Sequence, residues 1–544
     1  MEVLVWFKYQ LLNFREAELL AVAGMLGVSE SELDLRMPPG VAWPGTFRYA
    51  TVPSEAVARQ ITERCALVSG MFEVWGGGLE TVEALEADVR RRIGMGKGGP
   101  MGRYVGPGVE PYTFRFNVFG FGIAYTHTEK VAEMTETARY LDLSCGVVQL
   151  KDPDVTLWVH VSYGEEVMYR TAIQDRAEAA EEEEAGAETE TETGGSGGGK
   201  GRRKRERKGE LKNPQTAAEK EERARLVGSW RAKFVGREIA LGQESNKAVG
   251  QLTLKNRAYL GPTSMTSQLS LLTCNMARVR GGTLVMDPFC GTGSILIWAA
   301  KLGAHVLGGD IDLLTLRGKA LGEKGNKNVF DNFAQYGLPP PEIVRADNHM
   351  RPWTGARGGV SGDEGDPGWL DSIVADPPYG IRAGGRKSQA GGKRGVVGDI
   401  PEHRKKDHIP STVGYPLVEC IDDLMDTAAQ MLRVGGRMAY WMPAVQGVTD
   451  SMPEHLASHP CLAHVSACEQ MLACNISRFL VTVEKVKAWN PDTQATWDAH
   501  RASERPKPVY SCFDDGTALT LGERHRQKMA KAGTRNYLGR SKHV

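Results

Sequence analysis

The sequence predicts an α/β protein with a Rossmann-like, doubly wound parallel sheet in its second half and a smaller α+β module in front. Three observations point there. Beyond residue 225 apolar strands and helices alternate regularly, as the units of a parallel sheet do. Four of those strands run directly into Asp-containing turns: Asp287-Pro288-Phe289, Asp310-Ile311-Asp312, Asp347-Asn348 and Asp376-Pro377-Pro378. Ligands of such sheets bind outside the carboxyl ends of the strands, where these turns fall. Finally, a long charged, glycine-rich stretch separates the two halves.

The totals set bounds. A chain of 544 residues with 41% hydrophobic content exceeds one ordinary domain. The 67 basic and 67 acidic residues cancel, so any nucleic-acid surface must be local. Nine cysteines, scattered and without a Cys-x-x-Cys pair, fit reduced intracellular thiols, not a disulfide framework or a zinc knuckle. Met1-Glu2-Val3 lacks a basic signal region and no apolar run reaches membrane-spanning length. A soluble, cytoplasmic protein without membrane or metal dependence is expected.

In chain order, Val3 to Tyr9 reads as a strand. Asn13 with Glu16 resembles a capping box opening a helix from Phe14, which Gly27 closes. A strand around Phe47–Val52 leads to the N-cap Ser54 and a further helix, and mixed signals continue to the alternating Leu157, Val159 and Val161. Residues 1–170 are therefore expected to form the N-terminal module. Residues 171–224 turn from acidic (Glu181–Glu184) through glycine-rich to basic (Arg202–Arg205), a composition that cannot bury enough surface to fold and reads as a linker. The basic block is also open to reading as an RNA contact or a nuclear signal. Residues 225–488 carry the parallel sheet, with strands expected at Thr283–Met286, Ala304–Gly309, Glu342–Ala346, Leu370–Ala375, Arg437–Met442 and Phe479–Glu484; 489–544 is expected to be a tail.

The turns permit a specific chemistry. Gly291-x-Gly293 opens a helix, but Leu296 stands where a dinucleotide fingerprint has its third small residue, and no Lys-Ser/Thr follows for phosphate. Gly291 and Gly293 instead allow close backbone approach, with Asp287 near enough to meet an ammonium group. Asp310 suits two ribose hydroxyls, with Asp312 beside it, and Asp347-Asn348 suits an adenine. A ligand with an amino-acid end, a ribose, an adenine and no phosphate is S-adenosylmethionine. Asp287, Pro288, Phe289, Gly291, Gly293, Asp310, Asp312, Asp347 and Asn348 form the candidate cofactor set.

Asp376-Pro377-Pro378-Tyr379 is the candidate catalytic set. Two prolines cannot donate ladder hydrogen bonds, so the strand must stop there in a stiff loop. Its carboxylate and a proline carbonyl can accept the hydrogens of an exocyclic amine while the Tyr379 ring stacks on the base. Such an amine is a poor nucleophile, and these bonds return electron density to its nitrogen. No cysteine adjoins Pro377 or Pro378, so carbon methylation through a thiol adduct is not signalled, and Cys290 is expected to pack. Ile381 to Asp407 holds eight basic residues against three acidic ones; Arg382, Arg386 and Lys387 are the candidate phosphate contacts of an ordering lid.

These motifs, with Gly261-Pro262-Thr263-Ser264-Met265, Gly435 to Trp441, His459 to Leu462 and Arg478 to Lys485, resemble the catalytic subunits of the eukaryotic tRNA (guanosine-10) N2-methyltransferases. Phe14-Arg15, Pro53-Ser54-Glu55 and Val74-Trp75-Gly76 fit that family's front part. The resemblance implies a ferredoxin-like and THUMP module that binds tRNA, followed by a class I methyltransferase domain. It also implies a small zinc-containing activator subunit that adds a strand near Glu342 to Ala346. The acid-Pro-Pro-aromatic motif alone leaves two alternatives open: an N6-adenine nucleic-acid methyltransferase and a catalytically silent RNA-binding scaffold.

Overall fold

The structure, a computed structural model, describes residues 1–163 apart from 42–44, 96–98, 105–108, 122, 124 and 142. It further describes 221, 225 and 227–503 apart from 319–326, 354–367, 380–384, 389–411, 446–455 and 473–475. The expected linker with its basic block, Arg382, and the tail beyond 503 thus lie outside the described residues, save for single linker positions. The chain divides into two compact units: Met1–Leu12 with Leu26–Gln243, and Asn13–Met25 with Glu244 onward.

The first unit is built on one seven-stranded sheet. Its strands are β1 (Glu2–Phe7), β2 (Phe47–Thr51), β3 (Val68–Leu79), β4 (Tyr112–Gly120), β5 (Gly146–Val148), β6 (Val155–Tyr163) and β7 (Trp230–Leu241), in the order β2-β1-β3-β7-β6-β4-β5. β4 pairs in parallel with β5 and β6, and the other pairs are antiparallel. The helices Glu55–Arg64, Val82–Ile93 and His127–Ala138 begin at Ser54, Thr81 and Thr126, each of whose hydroxyls accepts from a first-turn N–H. β7 falls inside 225–488, where the methyltransferase domain was expected, yet it pairs with β3 and β6 in the middle of this sheet. Its apolar Ala232, Phe234, Val235 and Ile239 are buried there. By this pairing β7 belongs with the first unit, whose residues run to Gln243.

The second unit carries the sheet expected from the alternating pattern. Its strands are β8 (Leu284–Asp287), β9 (His305–Asp310), β10 (Glu342–Arg345), β11 (Leu370–Ala375), β14 (Leu432–Val445), β15 (Leu462–Met471) and β16 (Ile476–Lys485); β12 (Arg386–Ser388) and β13 (Thr412–Gly414) form a separate ribbon. The order is β10-β9-β8-β11-β14-β16-β15. β8 to β11 and β14 are parallel, so the carboxyl ends of these five strands open on one edge. β16 runs antiparallel to both β14 and β15, and this reversal brings its amino end to that edge. β15, with one weakly alternating run, was not expected from the sequence.

Two segments join this unit from outside its expected limits. The helix Arg15–Met25, flanked in sequence by strands of the first unit, belongs to the second. Phe14 and Glu18 are fully buried, and Asn275 Nδ2 donates to Glu18 Oε1 at 2.7 Å. The helix Pro491–Ala502, expected to lie in a tail, starts from a capping box between Asn490 and Thr493 and buries Trp497 in the core with Leu424, Ala428 and Val481.

Candidate active site

The first wall of the site is the turn after β8. Gly291 and Gly293 have φ of +49° and +83°, the left-handed region that side chains disfavour, so the chain can reverse tightly into the helix Ser294–Lys301. A Cβ at Gly291 would meet nothing within 4 Å, so this stretch of backbone faces open space that a ligand can approach. The loop is pinned from behind. Asn332, fully buried, donates to the Thr292 carbonyl at 3.1 Å and to that of Tyr259 at 2.8 Å, and accepts from Tyr259 N at 2.8 Å. Ser264 and Thr292 share a hydroxyl bond of 2.8 Å, which gives the Gly261–Met265 motif a structural role.

Three carboxylates converge at the ends of β8, β9 and β11. Asp287 is buried, with Oδ1 accepting from Phe289 N at 2.9 Å; burial, with some repulsion from Asp310 and Asp376, pushes its carboxyl well above the usual range. Asp310 Oδ2 accepts from Gly291 N at 2.9 Å and Oδ1 from Asp312 N at 2.8 Å. Burial pushes the Asp310 carboxyl up to about 6 despite those bonds. Asp312 itself caps the turn Leu313–Leu316, accepting from Leu314 N at 2.9 Å and from the Thr315 hydroxyl at 2.7 Å. Pro288 is buried and Phe289 packs against the core. Cys290 is buried and its thiol is pushed up by burial, so it is a neutral packing group.

Asp347 and Asn348 diverge. Asp347 Oδ1 accepts from His349 N at 2.9 Å, and its Oδ2 accepts from Ser388 N at 2.6 Å, so the β12 ribbon folds onto this strand end. Asn348 turns into the protein, 3.4 Å from both Tyr415 Oη and Thr427 Oγ1. The ribbon also places two of the basic candidates. Lys387 bonds to Glu419 and lies 5.7 Å from the Tyr415 ring centroid. Arg386 is exposed and donates to Thr412 Oγ1 at 3.0 Å. Glu419 groups with His349 and Asp423, their ligand-type atoms within 4.8 Å of one another. Lys387 and Arg501 already supply cations to those carboxylates, Arg501 Nη2 at 2.7 Å from Asp423 Oδ1, which makes the group an ion-pair network.

β11 ends at Ala375, just ahead of Asp376 and the two prolines that cannot extend the ladder. The Tyr379 hydroxyl donates to Asp376 Oδ1. Burial raises the Asp376 carboxyl, while Arg478 and the tyrosine bond oppose it. Arg478, at the start of reversed strand β16, lies with Nη1 3.9 Å from Asp376 Oδ2. Sequence reasoning gave Arg478 no role because nothing in the pattern shows that β16 is antiparallel; Asn332, inside an ordinary helix, carries no signal either.

The arrangement brings a glycine turn with room for a ligand, acceptors for an ammonium group and ribose hydroxyls, and an acid-Pro-Pro-aromatic loop to one edge of one sheet. The donor set fits S-adenosylmethionine, with Asp287, Gly291 and Asp310 as the closest match.

Similar proteins were found along most of the chain. A family model described as the Tmrp11 THUMP N-terminal domain matches residues 1–176, and one described as an RMKL-like methyltransferase domain matches 255–334. The tRNA (guanine(10)-N(2))-methyltransferase TRMT11 of Dictyostelium discoideum is 29% identical over 496 residues, 90% of this chain and 82% of the relative. That of Gallus gallus is 28% identical over 89% of this chain and 88% of its own length. Among solved structures, TrmN from Thermus thermophilus covers 89% of this chain and all of its own at 16% identity and a TM-score of 0.34. Relatives named as TRMT11 tRNA (guanine(10)-N(2))-methyltransferases match up to nine-tenths of the chain, with a THUMP model at its front and a methyltransferase model behind it, so the chain is homologous along its length to these enzymes.

Proposed function

We propose that the protein transfers a methyl group from S-adenosylmethionine to the exocyclic N2 of a guanosine in tRNA, position 10 by likeness to its relatives. The observation that carries this reading is the meeting of Asp287, Asp310 and the Asp376–Tyr379 loop at neighbouring strand ends. Asp287 would meet the amino group of the cofactor, Asp310 its ribose, and the open face of Gly291 its backbone approach. Bound there, S-adenosylmethionine supplies an electrophilic sulfonium methyl group. The protein's own part is to hold the guanine: Asp376 and the Pro377 carbonyl accept the amine hydrogens, and Tyr379 stacks on the ring. Asp376 also lies where it can take the proton that the amine loses as the N–C bond forms. Orientation of this kind is worth roughly 7–11 kcal/mol in well-placed reactions.

Asp312 caps a turn and Asn348 packs against Tyr415 and Thr427, and from those positions they shape the site. Asp347 would meet the adenine only where its bond to Ser388 yields. Arg386 remains the exposed candidate for a phosphate contact on the ribbon, next to the basic segment that contains Arg382.

We also infer that a small zinc-containing activator adds a strand beside β10. β10 is an edge of the sheet, its Val344 is 39% exposed and Met350 is exposed shortly after the strand, a surface suited to strand addition. The cytoplasm is the compartment this reading favours, in keeping with seven free cysteines among the described residues. Within them no helix is long and apolar enough to cross a membrane. The test is methyl transfer to unmodified tRNA followed by nucleoside analysis: N2-methylguanosine supports the reading. Label on adenine alone would transfer the reading to an N6-adenine enzyme, and absence of cofactor binding would leave an RNA-binding scaffold.

A further inference from the structure

Behind Asp376 stands a layered support that runs through Arg478 and Trp441 to Phe14. Arg478 reaches the carboxylate from β16, because that strand runs against its neighbours and starts where β11 and β14 end. Its side chain is only 15% exposed and is fixed on two further sides. Nε donates to Gln470 Oε1 of β15 at 2.8 Å, and the guanidinium lies 4.3 Å from the Trp441 ring centroid. Trp441 is fully buried; its Nε1 donates to Thr273 Oγ1 at 3.0 Å, and the Phe14 ring packs 6.0 Å away, centroid to centroid. A cation held over an indole and bonded at Nε keeps one face of its fork for a third partner. That partner is Asp376.

We propose that Arg478 is a positioning residue of the methyl transfer, holding the Asp376 carboxylate ionised and aimed at the amine, with Trp441 and Phe14 as its backing. The inference rests on the role given to Asp376 above. The need for a cation follows from the surroundings. Asp376 faces Asp287 from β8, its own loop supplies the neutral Tyr379, and among the described residues the charged group opposing protonation is Arg478 from β16. Protonated, Asp376 would carry a hydrogen on an oxygen that must accept one from the amine, and the base would lose its orientation.

The test compares the full parent chain with Arg478→Gln and Arg478→Lys in kcat against pH, on unmodified tRNA at saturating S-adenosylmethionine. Arg478→Gln should move the acid limb upward by on the order of one pH unit, since an opposite charge at this distance shifts a carboxylate by about that much or more. Activity should be largely restored at high pH. Arg478→Lys keeps the charge and should keep the limb near the parent's position at a lower plateau. Limbs unmoved in both variants, or moved equally in both, would overturn the proposal. Should Arg478→Gln fail to fold, the lysine variant decides: a limb displaced as far as one pH unit despite the retained charge counts against it. Asp376→Ala separates the two levels. An active Asp376→Ala removes the underlying reading, whereas an inactive one with unmoved Arg478 limbs removes only the role of Arg478.

Discussion

The hydroxyl of Tyr379 donates to Oδ1 of Asp376, so the ring expected to stack on the base also occupies the acceptor that the base needs. Substrate entry must break this bond and return the Asp376 oxygen to the incoming amine. Tyr379→Phe keeps the aromatic face and removes the competitor. Its KM for tRNA should stay level or fall, with kcat within a few-fold. Tyr379→Ala should raise KM roughly 10- to 100-fold, since stacking of a base on an aromatic ring is worth about 1–3 kcal/mol. Steady-state kinetics with both variants checks this; equal losses in the two would mean that the hydroxyl, not the ring, matters.

Asn332 fixes the glycine turn without facing the ligand. Asn332→Ala leaves the Thr292 carbonyl and the Tyr259 backbone groups short of partners in a buried place, at about 1–3 kcal/mol. Affinity for S-adenosylmethionine, measured by calorimetry, should fall on the order of tenfold, while binding of tRNA alone is preserved.

Phe14 directly precedes the helix Arg15–Met25 and belongs with it to the second unit. Phe14→Ala should cost about 3–5 kcal/mol, as emptied aromatic sites in cores do, and lower the melting temperature of that unit. Calorimetric unfolding of the full chain tests it. A loss under about 1 kcal/mol would mean that the helix is a loose attachment.

Asp310 gives the pH dependence a sign. Its folded carboxyl titrates near 6, above the ordinary 3.8, so the folded chain binds the extra proton more tightly than the unfolded chain does. Cofactor-free stability should therefore gain from this group as pH falls from above 6 toward 4, and lose that gain as pH rises. Affinity for S-adenosylmethionine should run the opposite way below pH 6, because ribose hydroxyls need the ionised acceptor. Asp310→Asn should flatten this part of the stability profile, raise the melting temperature at pH 7 and weaken cofactor binding.

Much of this architecture was legible in the residues. Leu370–Ala375 was read as a strand with the bounds it has, because two prolines end it; the Ser54 cap and the Gly27 stop placed two helices. What failed depended on partners distant in sequence. β7 has the pattern of any half-buried strand, and only pairing with β3 and β6 tells that the chain returns to the first sheet. The helix Arg15–Met25 was found, but not the unit it joins, since an apolar face does not name what covers it. The cap made by Asp312 and the packing of Asn348 carry no signal of their own, because carboxylates and amides at strand ends serve caps and binding sites alike. Arg478 stayed unassigned because strand direction is absent from a period-two pattern.

The most direct measurement pairs Asp376→Ala with the parent chain, each with and without the candidate activator, on unmodified tRNA and methyl-labelled S-adenosylmethionine. The parent should place label on guanosine N2. The variant should bind cofactor nearly as well while turnover falls roughly 100-fold or more, the scale of a lost orienting contact. Near-normal turnover by Asp376→Ala, or label found only on adenine or protein, would contradict the assignment.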